Sequence, residues 1–234
     1  MLKFEVIPVT QFAQNCSLIW CDETNLAALI DPGGEAEKLL AAIARRGLTL
    51  THILLTHGHL DHVGAAAELR EKTGVAITGP HKEDAFWLDM LPQQSQMFGF
   101  AHTPAFTPDH WLEQGDKVQL GQCELEVYFC PGHTPGHTSW LFRGSAGQAP
   151  LLVWGDVVHY HAVQFRQPKA SFEYDSDRRQ AVASRQRLLA RAADQGWWVA
   201  GAHLPFPCIG HVRREGRAGY AWVPAEFGPA RVAP

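Results

Sequence analysis

Thr56-His57-Gly58-His59-Leu60-Asp61-His62 places three imidazoles and one carboxylate within six residues. The apolar run His52 to Leu55 before it reads as a short buried strand. Gly64 to Lys72 after it reads as a helix, stopped by Gly74. A loop between strand and helix can aim alternate side chains at one point. His57 and His59, two apart, can share one metal ion, while Asp61 and His62 can turn toward a second. Imidazole and carboxylate are ligands for Zn, Fe or Mn. Gly58 and Gly64 permit tight backbone geometry. Scattered loop histidines do not account for this spacing directly after a buried strand.

Working outward, the same alternation of strand and helix recurs. Phe4 to Val9 and Ser17 to Trp20 read as an opening hairpin, and Leu26 to Ile30 as a strand buried on both faces that ends in Asp31-Pro32-Gly33-Gly34. Glu35 to Arg46 carries Ala36, Leu39, Leu40 and Ile43 on one helical face, with Gly47 as its stop. Val75 to Thr78 reads as a strand. The stretch Gly79 to Gly115 is less regular and rich in aromatic residues; it reads as a packed connection, a wall of the substrate pocket or a dimer contact. Val118 to Leu120 and Glu124 to Phe129 read as a hairpin, Leu151 to Trp154 as a strand ending in Gly155-Asp156, Ser176 or Asp177 to Asp194 as a helix, and Trp197 to Ala200 as a strand. Strands alternating with helices predict an α/β protein, and two halves of similar order predict a duplicated unit packed face to face.

Four ligands cannot fill two metal sites. Cys130-Pro131-Gly132-His133-Thr134-Pro135-Gly136-His137 follows a strand, Asp156 ends one, and His203 follows another. All lie just past strand C-termini, where α/β sites form. Asp31 is a candidate to orient a ligand histidine from behind, or a plain turn residue before Pro32-Gly33.

These motifs resemble the metallo-β-lactamase superfamily along the whole chain. Thr56 to His62 matches its HxHxDH signature, and Pro131 to His137, Gly155-Asp156 and Ala202-His203 match its later motifs in order. The resemblance implies a four-layer αβ/βα sandwich. It also implies one metal on His57, His59 and His133, a second on Asp61, His62 and His203, and Asp156 bridging both. His137 matches a position that is not usually a ligand. Two such cations, Zn first with Fe or Mn as alternatives, hold a hydroxide between them and polarise the substrate's oxygen. Asp61 and Asp156 are then the expected catalytic carboxylates.

Two branches of the superfamily share the chain. Up to about Thr138 it resembles small bacterial glyoxalase II-like proteins, in Ile7-Pro8-Val9-Thr10, Gln14 to Trp20, Asp31 to Gly34 and Leu54 to Glu68. That likeness implies hydrolysis of a glutathione thioester. From about Leu151 it resembles methyl parathion hydrolase and lactonase-like proteins, in Trp154 to His159, Ala162 to Phe165, Asp175-Ser176-Asp177, Ala202 to Pro207, Gly210 to Arg213 and Tyr220 to Pro224. Glyoxalase II-like proteins carry a Gly-rich basic segment after the bridging Asp; here His159 to Phe165 stands there. The expectation is one domain over 1–234, natural or engineered as a mosaic, with a junction near 138–150. Tyr160, Phe165 and Phe206 are expected to face the substrate, with core packing as the alternative for Phe165 and Phe206.

The bulk numbers narrow the classes. With 234 residues, 46% hydrophobic, the chain can bury a sizeable core. A net charge of −4 without a basic block argues against nucleic acid as partner. The start Met1 to Glu5 has no apolar signal region, no run suits a membrane span, and the five cysteines, Cys16, Cys21, Cys123, Cys130 and Cys208, lack CxxC spacing. These features predict a cytoplasmic enzyme with reduced thiols, monomer or homodimer, acting on a small molecule away from membranes. The competing readings are a redox di-iron protein, disfavoured because flavin-partnered relatives carry Glu at the place of His59, and a non-catalytic member of the same fold.

Overall fold

The computed structural model describes residues 2–143 and 147–226. Two sheets carry the fold. The first is five-stranded in sequence order: β1 (Leu2–Val9), β2 (Gln14–Cys21), β3 (Leu26–Ile30), β4 (Thr49–Leu54) and β5 (Ile77–Thr78). β1 to β3 are antiparallel, whereas β3, β4 and β5 run parallel. The second sheet has seven strands: β6 (Lys117–Leu120), β7 (Cys123–Phe129), β8 (Thr138–Arg143), β9 (Leu151–Val153), β10 (Trp198–Ala200), β11 (Ile209–Glu215) and β12 (Gly219–Pro224), again in sequence order. Only β9 and β10 pair in parallel there.

Period-two alternation explains why these strands read as continuous apolar runs. Ala27 and Leu29 point to one apolar cluster, with Leu39 and Ile43 of α1 (Ala36–Arg45) and Leu69 of α3 (Ala66–Thr73). Ala28 and Ile30 point the other way, into a cluster with Trp140, Phe142, Leu151 and Val153 from the second sheet. Leu141 and Leu152 face a third cluster with Leu188, Leu189 and Ala192 of α7 (Arg178–Gln195). Three apolar clusters separate four layers, helix, sheet, sheet, helix, as the sandwich requires. The remaining helices are short: α2 (Leu60–Val63), α4 (Ala85–Asp89), α5 (Leu91–Phe98) and α6 (His161–Gln164).

Local chemistry sets the ends of α7. The Asp177 carboxylate accepts the N–H groups of Arg179 and Gln180, and Gly196 closes the helix at φ 63°. Arg185 lies on its inward face, 1% exposed, and donates to the carbonyls of Val157, Pro168 and Ala170. It thereby pins the loop that follows Asp156. The sheets are also joined where β4 ends and β8 begins, with Thr138 donating through both its N–H and its hydroxyl to the Thr56 carbonyl.

The expected junction, 138–150, spans β8 and the connection to β9; its residues 144–146 lie outside the described residues. β8, which the sequence reading does not contain, pairs with both β7 and β9. The helix expected over Gly64 to Lys72 is α3, stopped by Gly74, and a further short helix, α2, precedes it and starts within the histidine motif.

Candidate metal centre

Five strand ends deliver the site. β3 ends at Asp31, β4 runs into His57 to His62, β7 into Cys130 to His137, β9 into Asp156 and β10 into His203. His57, His62, His133 and Asp156 are buried; His59, Asp61 and His203 are partly exposed. Donor atoms of His57, His59, His133 and Asp156 lie within 4.8 Å of one another, and so do those of Asp61, His62 and His203. Asp156 stands between the groups: its Oδ2 is 3.7 Å from His57 Nε2, 3.3 Å from His133 Nε2 and 3.3 Å from His203 Nε2, and its Oδ1 is 3.2 Å from His62 Nε2. Asp61 Oδ2 is 3.6 Å from both His62 Nε2 and His203 Nε2.

This donor set fits cations better than protons. His57 Nε2 and His133 Nε2 each lie 3.1 Å from the same atom, His59 Nδ1. Burial, first, and then neighbouring imidazoles hold the pKa values of His57 and His59 well below the usual histidine range, so both rings are neutral. Among the described residues His62 Nε2 and Asp156 Oδ1 are buried without a hydrogen-bond partner. Buried polar atoms left unsatisfied and converging on common points call for a positive charge between them. Burial also works against ionising Asp156, but the surrounding His203, His62 and His159 keep its carboxyl well below its ordinary value.

The second layer is dense. Asp31 Oδ2 lies 2.9 Å from His62 Nδ1, and its carboxylate accepts the Thr56 N–H at 2.7 Å and the Thr56 hydroxyl at 2.6 Å. Of its two expected roles the orienting one has this geometry. His133 Nδ1 lies 3.2 Å from Asp175 Oδ1, and Asp175 in turn faces buried Arg185 at 3.6 Å. Asp84 is fully buried and accepts from Gly58 N–H, Thr134 hydroxyl and Gly136 N–H, tying the two histidine loops together. His159 Nε2 lies 3.0 Å from Asp156 Oδ2, and its ring stacks on Phe172 and His203.

The Lactamase_B family model, the metallo-beta-lactamase superfamily, matches residues 9–203. The chain belongs to the metallo-β-lactamase superfamily. Over 158 residues it is 51% identical to hydroxyacylglutathione hydrolase GloC of Haemophilus influenzae, covering 67% of this chain and 72% of that protein. The di-iron-bound structure of TTHA1623 superposes with a TM-score of 0.69 at 30% identity, covering 86% of this chain and 92% of that one. The hydrolase AbOPH, of the beta lactamase superfamily, superposes with a TM-score of 0.70 at 27% identity, covering 93% of this chain and 81% of that one.

The superfamily motifs thus converge at one point, and every ligand position expected from the resemblance lies there. Phe165 is a correction. It is 2% exposed and packed between Trp154 and Trp222, with ring centroids 5.9 and 5.6 Å away. The turn of α6 sends it into the core beneath the second sheet, so it does not line the mouth. Tyr160 and Phe206 are 63% and 84% exposed. Cys208, close to His203 in sequence, is buried, and burial pushes its thiol up to about 11; no grouping able to hold a metal among the described residues includes a cysteine. The motif reading missed Asp84, which carries no sequence signal, and did not assign His159 and Asp175, which stand inside quoted motifs. No helix among the described residues is long and apolar enough to cross a membrane.

Proposed function

We propose that this chain is a two-metal hydrolase of ester-like bonds. The observation that carries the reading is the Asp156 carboxylate, whose Oδ2 faces His57, His133 and His203 and whose Oδ1 faces His62, so that it meets residues of both groups. His57, His59 and His133 would hold one divalent cation, Asp61, His62 and His203 the other, and Asp156 would touch both. Bound there, two such cations polarise a substrate's oxygen and make water nucleophilic near neutral pH. The chain's own residues do the rest. Asp31 keeps the His62 ring turned inward, Asp175 does the same for His133, and Asp84 fixes the spacing of the two loops. Zn is the first choice of metal and Fe the second, the latter supported by the di-iron form of TTHA1623.

For substrate class we favour neutral acyl or aryl esters, lactones and phosphotriesters over glutathione thioesters. The loop after Asp156 supports this. It presents Tyr160 to solvent and Phe172 and Tyr174 in contact with each other, 5.3 Å between ring centroids. Glutathione carries two carboxylates and needs cationic anchors; Arg166 and Lys169 come only after Phe165 in this loop. The 51% identity to GloC supports the second reading, glyoxalase II-type hydrolysis. Measuring kcat/KM for S-lactoylglutathione, an acyl-homoserine lactone and an aryl phosphotriester on one metal-loaded sample decides between them. A thioester value of ~10⁴ M⁻¹s⁻¹ or more, with no lactone or phosphotriester turnover, establishes the second reading instead.

A further inference from the structure

His137 is buried at the centre of the site and absorbed by neither metal position. Cys130 is a buried thiol in the same loop, and its backbone N–H donates to the His137 carbonyl at 2.9 Å. Their side chains are connected. The Asp156 backbone N–H donates to His137 Nε2 at 3.0 Å. Accepting that bond requires Nε2 to be unprotonated, so the ring proton sits on Nδ1. His137 Nδ1 lies 3.2 Å from Cys130 Sγ, which therefore accepts. The thiol proton is left to face Ser139 Oγ at 3.1 Å, and the Ser139 hydroxyl donates to the Trp154 carbonyl at 3.2 Å.

Every proton in this series points the same way, from the amide of Asp156 to the carbonyl of Trp154. Those two residues flank Gly155, so the series closes a ring around the turn that carries Asp156. Gly155 has φ +59°, and a Cβ there would stand 2.7 Å from Thr56 Oγ1 and 2.8 Å from His137 Nε2. The turn is held on its inner side by an imidazole in near contact and at both ends by hydrogen bonds from one network. We infer that His137, Cys130 and Ser139 form a clamp on the Trp154-Gly155-Asp156 turn, positioning the Asp156 carboxylate between the two metal positions. His137 and Cys130 are positioning residues: they act on the metals through Asp156 alone.

This inference rests on the two-metal reading, and its test separates the two. Wild-type, Cys130→Val, Cys130→Ser and His137→Leu proteins are loaded with cobalt, and transfer of the metal to a chromophoric chelator is timed. Cys130→Val conserves volume but removes the acceptor for Nδ1–H; Cys130→Ser conserves an acceptor and a donor. The expected result is release about 10-fold faster or more from Cys130→Val and His137→Leu, the lower end of effects seen for outer-layer partners of metal ligands. Their visible cobalt spectra shift, and Cys130→Ser recovers most of the wild-type rate and spectrum. Should His137→Leu fail to fold, the Val and Ser pair at Cys130 carries the test. Cys130→Val with wild-type release and spectrum overturns the clamp. Wild-type protein that binds no metal overturns the two-metal reading and the clamp with it.

Discussion

Replacing Asp31 by Asn changes one atom and removes one charge, and the structure says what should follow. Asp31 has φ +53°, a left-handed conformation that Asn tolerates better than other non-glycine residues, so the backbone is undisturbed. A carboxylate only accepts. It takes the Thr56 N–H on Oδ1, and on Oδ2 the Thr56 hydroxyl and the proton of His62 Nδ1. That last bond leaves His62 Nε2 as the atom that faces Asp61 and Asp156. Burial opposes charging His62, yet the carboxylates of Asp156, Asp61 and Asp31 outweigh it and hold its pKa well above the ordinary value. An Asn amide in place of Oδ2 donates instead. His62 must then accept on Nδ1 and carry its proton on Nε2, where a ligand lone pair is needed. Exchanging three charge-assisted bonds for neutral ones costs about 1 kcal/mol each, about 3 in all, within the ~5–15 kcal/mol of an ordinary domain. The fold should survive. Metal affinity at the Asp61, His62 and His203 position should fall by about 10–100-fold. Elemental analysis after equilibration with buffered metal, alongside urea unfolding, reads both effects. Loss of one metal per chain with the other retained is expected. Two metals held at wild-type affinity, or both lost together, would refute the reasoning.

Asp156→Ala should empty both metal positions rather than one, because its two oxygens face both groups of ligands; elemental analysis showing one metal retained at full occupancy counts against a shared carboxylate. Burial opposes protonating His133, but the hydrogen bonds its ring donates to the Asp156 and Asp175 carboxylates raise its pKa from 6.5 to about 9, so in the metal-free protein this contribution is complete below about 6.5 and lost as pH rises to about 9. The Tm of metal-free protein should therefore fall across that window while metal affinity rises, and calorimetry in buffers of different ionisation heat should detect the proton released on binding. Phe165→Ala should cost about 3–5 kcal/mol of stability with little change in kcat/KM per folded molecule. Phe206→Ala should do the reverse, and equal stability losses for the two would place Phe206 in the core as well.

What could be read in the sequence was what is local. The run Thr56 to His62 holds four candidate ligands within one short stretch, and strand β4 before it and helix α2, which begins inside it at Leu60, do no more than aim them. Asp156 and His203 were readable for the same reason, since each follows an apolar run whose alternation between two clusters marks it as a buried strand. What could not be read was what depends on distant partners. Asp84 binds Gly58 and Gly136 from 26 and 52 residues away, and nothing near it in sequence distinguishes it from a surface aspartate at a helix start. Of the two placements open to Phe165, the sequence could not choose core packing, because nearness in sequence to Asp156 does not fix which way a side chain points. Gln164, whose Oε1 accepts the N–H groups of His159 and Tyr160, ties down the start of α6, and Phe165 at its end packs on Trp154 and Trp222. Arg185 shows the same limit from the other direction. It occupies the apolar stripe of α7, and a charge there contradicts the pattern until the three carbonyls it satisfies are known. Those carbonyls belong to the loop that carries His159 and Phe172 over the site. The residue that breaks the helix pattern is thus the one that holds this loop in place, and both halves of the site depend on contacts the motifs do not contain.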